Sequence, residues 1–104
     1  MQPFSSAQLS ELQETFDSAK FNEFIDPPML GWIRTMRAAL NISSNELARR
    51  LEISRPAIRQ LEQSETGDTI KLATLRKAAE EMDCDLMYVF VPRHPLREIA
   101  VRPY

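Results

Sequence analysis

Ser43-Ser44-Asn45-Glu46-Leu47-Ala48-Arg49-Arg50-Leu51-Glu52-Ile53-Ser54-Arg55-Pro56-Ala57-Ile58-Arg59-Gln60-Leu61-Glu62 is the stretch that decides how this chain is read. It holds two helical patterns separated by a short break. In the first, Ser43 stands three residues before Glu46. That is the spacing of a capping box, in which the serine oxygen accepts from the Glu46 N–H and the carboxylate reaches back. Leu47, Ala48 and Leu51 then recur at helical spacing and predict a buried face. Glu52-Ile53 predicts a tight turn. The second pattern opens with Ser54 as N-cap. Pro56 falls in the first turn, where its missing N–H has no partner to lose. Ile58 and Leu61 predict the inner face, which leaves Arg55, Ala57, Arg59 and Gln60 on outer or flanking faces.

Two short helices joined by a three-to-four-residue turn describe a helix-turn-helix. Ala48 is small where the helices cross, and Leu47, Leu51, Ile53, Ile58 and Leu61 fill the wedge between them. The second helix, Ser54–Gln63, is thereby held clear of the body, able to enter a groove roughly 12 Å wide.

The flanks extend this into a mainly α fold. Residues 5–24 predict a helix, with Ser5 and Gln8 as a capping box and Leu9, Leu12, Phe16 and Ala19 at roughly helical spacing. Asp26-Pro27-Pro28 ends it. A second helix is expected from about Leu30 to Leu40, with Leu30, Ile33, Met36 (or Arg37) and Leu40 on its inner face and Asn41 as its stop. After a loop over Ser64–Thr69, a fifth helix is expected over Leu72–Met82, with Leu72, Leu75, Ala79 and Met82 inward and Asp83 as its stop. Then the period changes. Leu86-Met87-Tyr88-Val89-Phe90-Val91 is β-prone and ends at Pro92. A lone strand leaves backbone N–H and C=O groups unpaired. It is therefore expected to pair with the same strand of a second chain, as a dimer interface over Leu86, Met87, Tyr88, Val89, Phe90 and Val91, or with a different partner. The tail 93–104 is proline-punctuated and reads as irregular. The organisation expected is a five-helix fold made of an N-terminal helical arm (1–29) and a helix-turn-helix domain (30–84), followed by a dimerisation strand with its tail (85–104).

Composition narrows the function. At 104 residues the chain has room for one domain with a modest core. With 43% apolar and 27% charged residues it reads as a soluble globular protein. No apolar run approaches the ~20 residues of a membrane span, and the N-terminus lacks a secretory pattern. Cys84, the single cysteine, excludes an internal disulfide and a multi-cysteine metal site. Together these point to the cytoplasm. No nucleophile–base pair, phosphate loop or metal cluster is visible, so no catalytic, cofactor or metal residue is assigned and an enzyme is not expected. His94 has no second histidine to join it, and Cys84 reads as a small apolar residue. The net charge of −2 argues weakly against nucleic acid, but its distribution argues for it. Residues 31–59 carry six arginines (Arg34, Arg37, Arg49, Arg50, Arg55, Arg59) against Glu46 and Glu52, between acidic flanks. Such an island can face a polyanion.

The segment 43–62 resembles the Xre/Cro-C1 type of helix-turn-helix, matching its S-x-x-E-L-A run, a spaced leucine, then I/V-S-x-x-x-I-x-x-L/I-E. With flanking helices the resemblance covers about residues 32–84. More narrowly, Gly31-Trp32-Ile33-Arg34, Gly67-Asp68-Thr69-Ile70-Lys71-Leu72, Leu75-Arg76-Lys77-Ala78-Ala79-Glu80 and Cys84 through Pro92 resemble the bacterial group called mobile mystery protein A. That resemblance implies a DNA-binding protein encoded beside a Fic-domain protein, in a toxin–antitoxin-like arrangement. Two features depart from the wider family. Ser44 stands where a longer glutamine is common, and Gln63-Ser64-Glu65 follows the second motif helix where glycine is usual.

The expected roles follow from the motif's docking geometry. Arg55 and Arg59 are the candidates for guanine, which arginine can hold through two hydrogen bonds, and Gln60 for adenine or for bracing a neighbouring side chain against phosphate; the alternative is a solvated helix face with Arg59 paired to Glu62 or Gln63. Ala57 is small enough for close approach and for a thymine methyl. Ser54 and Pro56 set the helix start. Ser43, Ser44 and Asn45, at a helix N-terminus, suit phosphate, with pure capping the alternative for Ser43. Arg34, Arg37, Arg49 and Arg50 are candidates for phosphate neutralisation. Trp32 reads as a packing residue. The function expected is a dimeric, sequence-specific transcriptional regulator that represses its own operator, an inverted repeat. The alternative is an interaction protein that neutralises a Fic-domain, toxin-like partner.

Overall fold

A computed structural model describes residues 4–23 and 25–101 of the chain. Among these residues there are six α-helices and no strand: α1 (Ser6–Ser18), α2 (Trp32–Ala39), α3 (Ser44–Leu51), α4 (Arg55–Thr66), α5 (Leu72–Glu81) and α6 (Leu96–Ala100). No helix among them is long and apolar enough to cross a membrane. They divide into two compact units. One runs from Asp26 to Met87; the other joins the N-terminal residues through Ile25 with those from Tyr88 onward.

In the second of these units, α1 begins as its sequence requires. Ser5 Oγ accepts from the Gln8 N–H and Gln8 Oε1 from the Ser5 N–H, a complete capping box. The helix stops at Ser18, earlier than the expected end near residue 24. Thr15 and Ser18 turn their hydroxyls back onto the carbonyls of Glu11 and Glu14, a local competition that weakens helices. Ala19 is extended, and after it a single 3-10 turn, Phe21–Glu23, brings the Phe21 ring to 6.3 Å from that of Phe16. The tail is not wholly irregular, because α6 forms after Pro95. The Leu96 N–H, otherwise unpaired at the helix start, donates to Gln13 Oε1 on α1 at 2.7 Å, and Arg97 donates to Ser10 Oγ. Residues 102–104 of the expected tail and Phe24 of the expected arm lie outside the described residues.

The strand expected over Leu86–Val91 is not found. Residues 84–92 are neither helix nor strand. A strand exists through ladder hydrogen bonds, and the described chain offers this segment no paired edge. Leu86 is half-buried, but the side chains from Met87 to Val91 stay uncovered, Phe90 at 85% and Met87 at 76% exposure.

The unit 26–87 is built on a core of Ile33, Ile42, Leu47, Ala48, Leu51, Ile58, Ala78 and Met82, with Met36, Leu61, Leu75 and Cys84 packed against it. Ile33 from α2, Leu47 from α3 and Ile58 from α4 are its largest fully buried side chains. Burying each contributes about 1.5–3 kcal/mol. Leu30, Leu40 and Leu72, expected inward, are exposed. All three sit at or beyond a helix end, where the apolar stripe has left the core. Ala78 lies in the core, on the face of α5 that also carries Leu75 and Met82.

All four helices of this unit end in the same way. An N–H two or three residues past the helix reaches back five residues: Ile42 to Arg37 O at 2.8 Å, Ile53 to Ala48 O at 3.0 Å, and Cys84 to Ala79 O at 2.8 Å. After α4, Thr69 to Ser64 O at 2.8 Å repeats the pattern. The residue before each donor is left-handed: Asn41, Glu52, Asp68 and Asp83, with φ of 57–59°. This Schellman arrangement satisfies terminal carbonyls and usually places glycine at the left-handed position. Here both glycines of the chain lie elsewhere, at Gly31 and Gly67. Asn41 and Asp83 act as the stops expected of them. Glu52 is the least suited of the four, since asparagine and aspartate tolerate this conformation better than a longer side chain does.

Candidate nucleic-acid interface

The placement of α4 follows from its residues. Ile58 fixes its rear on the core, and Leu61 packs beside it. Ser54 is the N-cap residue with extended backbone, and Pro56 lies in the first turn. The Ser54 hydroxyl makes no capping bond and is left exposed. The helix runs to Thr66, past the expected end at Gln63, so the expected loop residues Ser64 and Glu65 are helical. Arg55, Pro56, Arg59 and Gln60 are exposed, and Ala57 is half-buried.

Two depressions flank α4. A cleft of about 770 Å³ on one side is lined by Arg34 and Arg37 of α2, Ser44 of α3, and Arg55, Arg59 and Glu62 of α4. A more apolar groove of about 560 Å³ on the other side involves Ala57, Gln60 and Leu61, with Ile53 before the helix and Ala73 and Lys77 of α5. The expected site residues therefore separate. Arg55 and Arg59 share the basic side; Ala57 and Gln60 share the apolar one. The exposed crest of α4 lies between them.

The six arginines of the basic segment fall into two sets. Arg37 is bound to Glu62 of α4, through Nε at 3.0 Å and Nη2 at 2.9 Å, with side chains only 19% and 14% exposed; Nη1 also approaches the Ile42 carbonyl. Arg49 and Arg50 both bind Glu46, one turn before them on α3, and Arg50 also donates to the Glu81 carbonyl at the end of α5. Arg34, Arg55 and Arg59 have no hydrogen bond or ion pair among the described residues, and all three line the basic cleft. Arg37 and Arg50 join helices, Arg49 is held within α3, and three guanidiniums remain available to an anion.

Glu46 also corrects the expected capping box. Ser43 Oγ does accept from the Glu46 N–H at 3.1 Å, so Ser43 acts as a cap. Glu46 does not reach back to the serine; its carboxylate turns to Arg49 and Arg50. Charge-assisted bonds are stronger than one neutral N–H contact. The hydrogen bonds from Arg49, then Arg50, hold the Glu46 carboxyl down at about 2. Ser44, the first residue of α3, is half-buried on the cleft, and Asn45 is exposed.

Two residues orient α4 in a way not expected from the sequence, which offered Glu62 only as a partner for Arg59. Glu62 is one. Glu65 is the other: its carboxylate accepts from the backbone N–H of Trp32 at 2.5 Å and of Ile33 at 2.9 Å, capping α2 from a distance. Gly31, the N-cap residue of α2, has φ +84° and no side chain to do this itself. A Cβ at Gly31 would lie 2.9 Å from Glu65 Oε1. The available signal was the capless Gly31 before an amphipathic helix, which requires some other acceptor for the first N–H groups.

Searches of curated proteins and of solved structures return no match to the chain. A family model described as helix-turn-helix matches residues 33–89, more than half of the chain and the whole of α3 and α4. The chain belongs to the Xre/Cro-C1-like helix-turn-helix family and is a DNA-binding protein.

Proposed function

We propose that the chain is a sequence-specific transcriptional regulator that lays α4 in the major groove of its own operator and represses transcription there. The observation that carries this reading is the partner-free state of Arg55 and Arg59, one helical turn apart on the exposed side of a helix whose rear is fixed on the core. Arg55 and Arg59 read guanine, Gln60 reads adenine, and Ala57 meets a thymine methyl. Arg34 and the N-terminal turn of α3, at Ser44 and Asn45, hold phosphates. Ser43, Ser54 and Pro56 shape the helix starts that face the backbone.

The working unit is a symmetric dimer on an inverted repeat. The uncovered apolar residues from Met87 to Val91 support this, since a second copy would give the segment the pairing it lacks. The same segment supports a second reading, in which the chain also holds a Fic-domain partner in an antitoxin-like manner, as resemblance to the mobile mystery protein A group suggests.

Selection of bound duplexes from a random pool tests the first reading. The expected result is a palindrome with half-sites about 10–10.5 base pairs apart, or a multiple of that spacing. Arg55→Ala should fold normally, still bind bulk DNA, and lose preference at one position per half-site by about 1–3 kcal/mol. No enrichment over bulk DNA by the unaltered chain would sink the reading. Co-expression with an adjacent Fic-domain product tests the second; absence of a stable complex would remove it.

A further inference from the structure

Glu62 and Glu65 lie three residues apart on α4, and both reach α2. Glu62 holds a side chain, Arg37. Glu65 holds backbone, the first two N–H groups of the helix. The Glu65 contact involves one flexible side chain where the ion pair involves two, and it meets the backbone of α2 directly. The contact also shapes the chain opposite it. The N-cap of α2 must be glycine, because φ is +84° and a Cβ would meet the carboxylate. Negative charge at a helix N-terminus is favourable, and two orphan N–H donors are satisfied by one carboxylate.

From this geometry we propose that Glu65 is the positioning residue for DNA reading: it sets the pitch of α4 against α2 and so the register of Arg55 and Arg59 on the bases. This rests on the reading of α4 as the base-contacting helix. Glu65 itself touches no DNA; it acts through the helix. The lever is long. Ten residues separate Glu65 from Arg55, about 15 Å at 1.5 Å per residue. A tilt of about 5° about the Glu65 end moves Arg55 by about 1.3 Å, beyond the roughly 0.5 Å within which a recognition constellation must be held. Phosphate contacts tolerate such a shift; paired hydrogen bonds to a base edge do not.

The test compares binding to the duplex selected by the unaltered chain with binding to a scrambled duplex of equal length. Glu65→Gln is the main variant. It is nearly isosteric, but turns one NH2 group against a backbone N–H. Measurements are made where circular dichroism shows each variant fully folded. The expected result is at least a tenfold fall in the ratio of selected to scrambled affinity, with scrambled binding unchanged within about twofold. Gly31→Ala is strained at φ +84° whatever faces it, so it is made in the unaltered chain and in a Glu65→Ala background, and the part of its effect that depends on residue 65 reports the carboxylate contact. A folded Glu65→Gln variant that keeps the full ratio overturns the proposal. If the unaltered chain itself prefers no duplex, the reading beneath the proposal fails, and that outcome is distinct.

Discussion

Removing the Arg37–Glu62 pair is the perturbation whose size the structure constrains best. Both side chains are mostly covered, at 19% and 14% exposure, and Arg37 places Nε and Nη2 on one Glu62 oxygen at 3.0 and 2.9 Å. At an effective dielectric near 20, two unit charges this close attract by about 6 kcal/mol before desolvation. Desolvating both ions offsets most of that. Fully exposed pairs retain 0–1 kcal/mol, while breaking a fully buried pair costs about 3–5 kcal/mol. This pair lies between those limits, so a double-mutant cycle of Arg37→Ala and Glu62→Ala should return a coupling energy of about 2 kcal/mol. Each single variant should lose more than that coupling, because it leaves an unpaired charge in a half-covered site. Urea denaturation at pH 7 and constant salt measures it. A second readout is independent of stability. Glu62→Ala frees Arg37 within the basic cleft, adding one cation to Arg34, Arg55 and Arg59. The slope of log affinity against log salt should steepen by about 0.9 per half-site. A coupling below about 0.5 kcal/mol would show that water screens the pair despite its cover. An unchanged salt slope would show that Arg37 does not face the DNA.

Glu52→Gly should stabilise the unit. A left-handed non-glycine residue costs about 1–2 kcal/mol, and glycine returns roughly 0.5–1 kcal/mol of that in backbone entropy. The net gain of about 0.5–1 kcal/mol should raise Tm by a few degrees, and Asn41→Gly should gain less; equal or opposite shifts would count against the strain. Stability should also carry an acid limb from Glu46. Its folded pKa of about 2 lies below the ordinary 4.5, so its contribution is present above pH 4.5 and is lost as pH falls towards 2. Thermal melts of Glu46→Gln should therefore trail the unaltered chain near neutrality and converge with it towards pH 2; a constant gap would refute the assignment.

The motif from Ser43 to Glu62 was legible because its signals are local. Ser43 as a cap, Pro56 in a first turn, and Leu47, Ile58 and Leu61 inward each depend on neighbours within four residues. So do the stops at Asn41 and Asp83, which need only tolerance of a left-handed backbone. What stayed hidden depends on partners far along the chain. Glu65 caps residues over thirty positions away, and α6 starts on the amide of Gln13. Glu46 shows a third failure: two interactions were compatible with its position, and charge decided between them. The run at Leu86–Val91 has the composition of a strand, but composition supplies no pairing edge, and within the described chain there is none. The basic island was visible as a sum over Arg34 to Arg59. Its division into three bound and three available guanidiniums required the positions of Glu46 and Glu62.

The absence of glycine from the left-handed position at each helix end also bears on how this chain can change under selection. Glutamate and aspartate codons lie one nucleotide from glycine codons, so Glu52, Asp68 and Asp83 can each reach the residue their backbone favours in a single step. None of the three carries an ion pair among the described residues that such a step would sacrifice. The unit thus keeps a short, independent route to greater robustness at three separate helix ends. Natural proteins commonly hold such unused reserve, because selection removes instability only below a threshold. Here the reserve sits outside the arginines of the basic cleft, so damage to a core or base-reading position can be offset at a helix end without redesigning the surface that meets DNA.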